Sequence, residues 1–342
     1  MNDKKTTYTG DIIQGIPVIN NLNINDLEQN KVYRFMFQGS AMNIGQPWFV
    51  PLLVARGAKA GKSLLLNTGI HGDELNGIKV IQQLFAQLDT SQLAGTIIGV
   101  LQASPNSLVH INKNWLLSTD GGDFENMNRL FPGKENGNSA EQHAYLLWNN
   151  LWRGNVDYMI DLHSQSTDTE YPLFVFADYR NVLAQQMAEL IPADQIKNDE
   201  GEIGTVETTF IQHGIPAITI ELGAARIFQS DYIQRTLIGI RNILAKFGFS
   251  NNQITDTALS NNTFIGNQMI SIRALHGGYT EMLVSIGEDV NYDQLVAYQI
   301  NQFGDIIREY RTPTAGKVLS VGTSAIREAG GLLVRILYNT PN

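Results

Sequence analysis

Four short segments carry side chains whose types and spacing could do chemistry together. In NTGIHGDELNG, residues 67–77, His71 and Glu74 lie three apart where an apolar run gives way to a helical pattern. That spacing lets an imidazole and a carboxylate converge on one ion, although Asp73 and Glu74 could equally serve only to cap the helix and complement its dipole. DLHS, 161–164, sets His163 at the end of another apolar run; taken alone, a histidine there reads as well as a satisfied buried residue. Glu221 closes the apolar run AITIE, 217–221, where a carboxylate is costly unless paired. The alternative for Glu221 is an acid at a surface strand end.

In open parallel sheets, ligands bind outside the carboxyl ends of the strands, and His71, Glu74, His163 and Glu221 all fall at that edge. Two imidazoles and one carboxylate form a ligand set suited to a single zinc ion, with a position left for water. Glu221 is then the candidate general base, taking the water's proton and returning it to a leaving amine. The chain has no cysteine, so thiolate ligands, disulfides and cysteine nucleophiles are excluded. The fourth segment, MNRLFPG at 127–133, embeds Arg129 among apolar residues, with Asn126 and Asn128 beside it. Guanidinium is a rigid fork for a carboxylate and asparagine adds directional donors. Asn128 and Arg129 are therefore candidate substrate-binding residues.

These residues must be positioned by strands and helices in alternation. Residues 32–37 and 48–55 are β-prone runs split by a turn; 63–68 (SLLLNT), 96–102, 156–162, 172–177 and 217–221 read as further strands. Helical spacing follows from Glu74 to about Leu88, in 182–190 and in 231–247, and Ser139 with Gln142 fits a capping box for a helix reaching about Trp152. Residues 103–138 show little periodicity and read as a long functional loop. The pattern implies an α/β domain over 1–255 with a mostly parallel sheet covered on both faces. After the polar linker SNNQITDTALSNNT, residues 256–342 read as a small all-β domain with a possible helix only at 292–302.

The chain has 342 residues, 43% apolar and 17% charged, as in a globular protein. A net charge of -9 argues against a broad nucleic-acid surface, and no apolar run approaches the roughly 18 residues that span a bilayer. Residues 1–15 are polar and lack a secretory h-region, so a cytoplasmic location is the default expectation. A homo-oligomer is neither required nor excluded.

In order, HGDELNG, MNRLFPG, DLHS and GIPAITIELG resemble the succinylglutamate desuccinylase/aspartoacylase family, within the wider zinc carboxypeptidase-like clan. The resemblance spans roughly 45–250 and extends more loosely over the β tail. It implies a doubly wound α/β fold around one zinc ion held by His71, Glu74 and His163, with Glu221 as base and Asn128 and Arg129 on the carboxylate of a small substrate. The implied reaction hydrolyses an N-acyl amino acid or related amide to a carboxylate and an amine. Members usually carry a further arginine upstream of the Asn–Arg pair to polarise the scissile carbonyl. Here no arginine lies between Arg56 and Arg129, which leaves His110, Lys113 or the metal alone for that task.

The tail resembles barrel-sandwich caps and, in GGYTEMLVSIGEDV and TPTAGKVLSVG, biotinyl or lipoyl carriers. Its single lysine, Lys317, is not on the hairpin expected to present a prosthetic group, so a capping role is expected. Two other readings stay open: a metallocarboxypeptidase acting on peptides, and a zinc-binding protein that has lost catalysis.

Overall fold

The computed structural model describes residues 5–119 and 121–340. The first four residues of the polar N-terminal stretch, Asp120 in the long loop and the last two residues of the tail lie outside them. At the centre, Lys59–Thr68 runs parallel to Ala94–Val100 on one side and Tyr158–His163 on the other. Ala217–Ala224 in turn runs parallel to Tyr158–His163. The flanks are antiparallel: Pro47–Arg56 against Ala94–Val100, Lys31–Ala41 against Pro47–Arg56, and Thr169–Ala177 against Ala217–Ala224. The sheet is thus mixed: its centre is parallel, and short parallel pairs recur towards its edges, Ile16–Asn21 with Lys31–Ala41 and Gln195–Asn198 with Thr169–Ala177. Residues 42–46 are too few for the crossover that parallel neighbours need, so Lys31–Ala41 and Pro47–Arg56 can pair only as a hairpin.

Helices cover both faces because successive strand residues point to opposite sides. Leu64, Leu66, Ile160, Leu162, Ile218 and Ile220 pack in one core with Asn76–Gln87, Val182–Glu189 and Ser230–Lys246. Leu65, Met159 and Ala217 pack in the other with Trp152 and Phe210. Those two come from Ser139–Leu146, continued as a π-helical turn at Leu147–Trp152, and from Val206–Gln212.

Several boundaries differ from the sequence reading. The capping box is Asn138 with Glu141, one residue earlier than Ser139 with Gln142. Asn138 Oδ1 accepts the Ala140 and Glu141 amides, and the Glu141 carboxylate accepts the Asn138 amide. Ser139 instead accepts the Trp115 indole N–H. The loop at 103–138 holds a short helix, Pro105–Val109, and a strand pair, Trp115–Leu117 with Asp123–Glu125. Where a helix was possible at 292–302, Leu295–Ile300 is a strand hairpinned to Ile306–Arg311. Val296, Ala297 and Gln299 are buried there, and the β-prone LVAYQI has no helical stripe to offer.

The C-terminal region is all β. Gly316–Gly322, Leu332–Tyr338 and Gln268–Arg273 form one layer, and Gly278–Met282, Leu295–Ile300, Ile306–Arg311 and Ile326–Arg327 form the other. The first layer is not a separate sheet: Thr169 and Glu170 pair with Gly322 and Val321. Lys317 lies within a strand, ion-paired to Asp289 at 2.7 Å. Among the described residues, no helix is long and apolar enough to cross a membrane.

Candidate active site

The site grows from the carboxyl ends of the central strands. Lys59–Thr68 ends at Thr68, and the loop 69–75 carries His71 and Glu74 ahead of the helix Asn76–Gln87, so Glu74 precedes the first helical turn. Two close approaches fix this loop. A Cβ on Gly72 would lie 2.0 Å from the Ser107 carbonyl carbon, and one on Gly77 would lie 2.3 Å from Thr68 Oγ1. Asp73 takes no part in the cluster: its carboxylate accepts the Thr167 hydroxyl at 2.7 Å and so tethers the loop after His163. His163 is the last residue of its strand, and Glu221 is its register partner on the adjacent strand. Glu221 is therefore inside a strand that continues to Ala224, not at its end.

His71, Glu74 and His163 are all buried, and their ligand atoms lie within 4.8 Å of one another. Glu74 bridges the imidazoles, with Oε1 2.7 Å from His71 Nδ1 and Oε2 2.8 Å from His163 Nδ1. Both Nε2 atoms face outer oxygens: Asp161 Oδ2 at 2.8 Å for His163, and Asn126 Oδ1 at 3.1 Å for His71. The Asn126 atom is fixed as the oxygen because it also accepts the Asn128 amide. With Nε2 of each ring donating to these outer oxygens, Nδ1 is the atom each ring turns to the Glu74 oxygens, protonated there or free to bind an ion. Such a set of acceptors needs a cation or protons among them. Burial alone would lower His163, but Asp161 and Glu74 outweigh it and raise it well above the usual imidazole range. Burial likewise opposes charge on Glu74, and the two imidazoles nevertheless hold it below the carboxylate range. A field that favours positive charge at this point suits a divalent ion, and the donor set fits one.

Beside the cluster lies a cavity of about 350 Å³ whose wall includes His71, His163 and Glu221. Burial, then the Glu74 carboxylate, pushes Glu221 up to about 8. Its Oε2 is sealed and has no hydrogen-bond partner among the described residues. Asn128 and Arg129 also line the cavity, though each has a protein partner. Asn128 Oδ1 accepts the Val206 amide at 2.9 Å, and Arg129 Nη2 meets Glu202 at 2.7 Å with its side chain 44% exposed. Lys113 lines the cavity and donates to Ser166 Oγ at 2.9 Å, whereas His110 is exposed and bonds back to Asn106 O.

Four residues of the site were not singled out for it in sequence. Asp161 had a signal: it is two residues before His163 in an apolar strand, hence on the same face. Asn126 was visible, but as a partner of Arg129, not of His71. Glu207 lines the cavity, takes the Thr219 hydroxyl at 2.6 Å and is raised well above the carboxylate range by burial. Arg335 reaches the same cavity from Leu332–Tyr338, and nothing in its local sequence marks it.

The chain is 25% identical to the N-alpha-acetyl-L-2,4-diaminobutyric acid deacetylase of Halomonas elongata, over 78% of this chain and 79% of that protein. It is 30% identical to the succinylglutamate desuccinylase of Pseudomonas paraeruginosa over 49% of this chain, spanning about half (52%) of that relative. Among solved structures, an ectoine utilization protein of Ruegeria pomeroyi superposes with a TM-score of 0.80 at 20% identity, covering 91% of this chain and 97% of that one. A succinylglutamate desuccinylase/aspartoacylase of Rhodobacter sphaeroides superposes at 0.78 and 18% identity, covering 94% and 99%. Residues 60–247, the stretch that carries His71, Glu74, His163 and Glu221, match the succinylglutamate desuccinylase/aspartoacylase catalytic domain, and the chain belongs to that family.

Proposed function

We propose that this protein is a zinc-dependent amidohydrolase that removes a short acyl group from a small N-acylated amino acid. The observation that carries the reading is the convergence of His71 Nδ1, His163 Nδ1 and Glu74 beside the Glu221 carboxyl group, whose Oε2 has no hydrogen-bond partner among the described residues. His71, Glu74 and His163 would hold the ion, which supplies electrophilic polarisation of the acyl carbonyl and acidifies water.

The chain's own groups do the rest. Asp161 and Asn126 fix the imidazole tautomers and aim Nδ1 inward. Glu221, ionised once the positive charge of a held ion offsets the negative charge of Glu74, takes a proton from the attacking water as the water oxygen bonds to the acyl carbon. It passes that proton to the nitrogen as the C–N bond breaks, leaving a carboxylate and an amine. Lys113 is the cation placed to favour negative charge on the carbonyl oxygen, the part for which the sequence offers no upstream arginine. Asn128 and Arg129 form part of the substrate wall.

The dimensions favour a small substrate over a peptide. Met269 and Arg335, both from the C-terminal β region, add to the wall of a cavity of about 350 Å³, a size that suits a small molecule. The deacylases among the relatives support an amide as the bond cleaved.

The deciding experiment is a hydrolysis screen of N-acetyl, N-succinyl and longer N-acyl amino acids with the zinc-loaded protein. Turnover that chelator removes and zinc restores is expected, and Glu221→Gln should abolish it with zinc still bound. A fully zinc-loaded wild type that hydrolyses none of the panel would overturn the reading.

A further inference from the structure

Two guanidinium groups face the cavity, and they differ in how their charge is met. Arg129 forms an ion pair with Glu202 and gives Nη1 to the Asn128 carbonyl. Arg335 is held by neutral groups: Nε donates to Ser271 Oγ at 3.0 Å, and Nη1 to the Tyr171 hydroxyl. The guanidinium thus sits beyond the hydroxyl end of the Tyr171 ring, with Cζ 5.8 Å from the ring centroid. Among the described residues no carboxylate forms an ion pair with Arg335 and Nη2 has no hydrogen-bond acceptor, although the Glu221 carboxyl is near enough to feel its charge. A partly buried cation fixed by two hydroxyls, with no carboxylate in direct contact, is rigid and free to take an anion. Its complement is an anion arriving in the cavity.

We propose that Arg335 is the residue that anchors the substrate's carboxylate, so that specificity for an N-acyl amino acid is supplied by the C-terminal β region and not by the catalytic domain alone. This rests on the amidohydrolase reading for the reaction, but the anchoring itself is a matter of binding. Arg335 lies outside residues 60–247, the stretch that matches the family's catalytic domain. It is delivered across the sheet junction that pairs Thr169 and Glu170 with Val321 and Gly322. Tyr171, which steadies the guanidinium, sits on the strand that makes this junction. The continuous sheet therefore fixes the distance between the hydrolytic groups and the anchor, which selects acids of a given length.

The test compares wild type, Arg335→Met and Arg335→Lys, all zinc-loaded, on N-acetyl-L-2,4-diaminobutyrate and its α-carboxamide. Loss of the anchor should lower kcat/KM for the acid by about 100-fold, mostly through KM, and for the carboxamide by less than about threefold. Arg335→Lys should recover part of the loss, which a folding defect would not allow. Equal losses on both compounds would mean that Arg335 acts through Glu221 or through packing, and would overturn the proposal, as would unchanged kinetics.

If the wild type turns over neither compound, the amidohydrolase reading loses this substrate, and calorimetry decides the anchor separately. Zinc-loaded Glu221→Gln protein should bind the acid more tightly than the carboxamide, and the difference should vanish when Arg335→Met is added. Equal binding of the two compounds, or of neither, would refute it.

Discussion

Two regions of this molecule bury histidine, and they treat it in opposite ways. His143 lies in the core under one face of the sheet, tilted against the Trp115 ring at 4.9 Å between centroids. Its Nε2 donates to the Ala103 carbonyl at 2.9 Å, and its Nδ1 accepts the Ser40 amide at 3.3 Å. One donor and one acceptor meet one acceptor and one donor, so the ring is neutral and satisfied. Burial, only partly offset by the Ala103 carbonyl, lowers it to about 4. At the strand ends, His71 and His163 meet oxygen acceptors at both nitrogens. Burial is similar in the two regions, so burial does not separate a structural histidine from a functional one. The balance of donors and acceptors does.

The comparison can be broken most forcefully at His163. His163→Ala removes one of three converging donors, and zinc affinity should fall by orders of magnitude in a dye-competition titration. Full zinc occupancy afterwards would show that the acceptor cluster is not what holds the ion.

At His143 the expected effect is on stability. Its folded value lies below the unfolded value of 6.5, so the unfolded chain binds the extra proton. Its contribution is complete above about pH 6.5 and is lost as pH falls towards about 4, a span worth about 3 kcal/mol. Urea unfolding of wild type and His143→Gln across that range should show the steeper acid loss in wild type. Parallel pH slopes would mean that His143 is not held neutral.

Asp161→Asn sharpens the contrast from outside the ligand set. It keeps a hydrogen-bonding group near His163 Nε2 but removes the charge, and metal affinity should drop by about 10- to 100-fold. No change would leave the tautomer argument without support. The smallest effect is expected at Arg129, whose guanidinium is half exposed and committed to Glu202. Arg129→Ala should raise KM by less than about fivefold, the scale of a solvent-exposed ion pair. A rise of 100-fold would return the principal carboxylate contact to the Asn–Arg pair.

Much of this was legible because the chemistry is local in sequence. His71 and Glu74 share one loop, and His163 and Glu221 end apolar runs whose buried strand character is plain. Parallel pairing then brings such ends to one edge, so the four residues could be grouped without coordinates. The helices at Asn76–Gln87, Val182–Glu189 and Ser230–Lys246 were found within a few residues, since each lays a periodic apolar stripe on the sheet. The strand at Leu295–Ile300 was less legible because a short apolar run reads either way until its partner strand is known.

The sequence by itself determined which side chains could bind a cation and which strand ends carry them, because residue type and run length are properties of the chain. Only the tertiary structure decided how those groups are used. Register set Glu221 opposite His163, outer oxygens turned both imidazoles so that Nδ1 faces inward, and an ion pair claimed Arg129. The same folding carried Arg335 to the cavity across a junction between strands far apart in sequence. Contacts of that kind depend on sheet order and register, which no local pattern encodes.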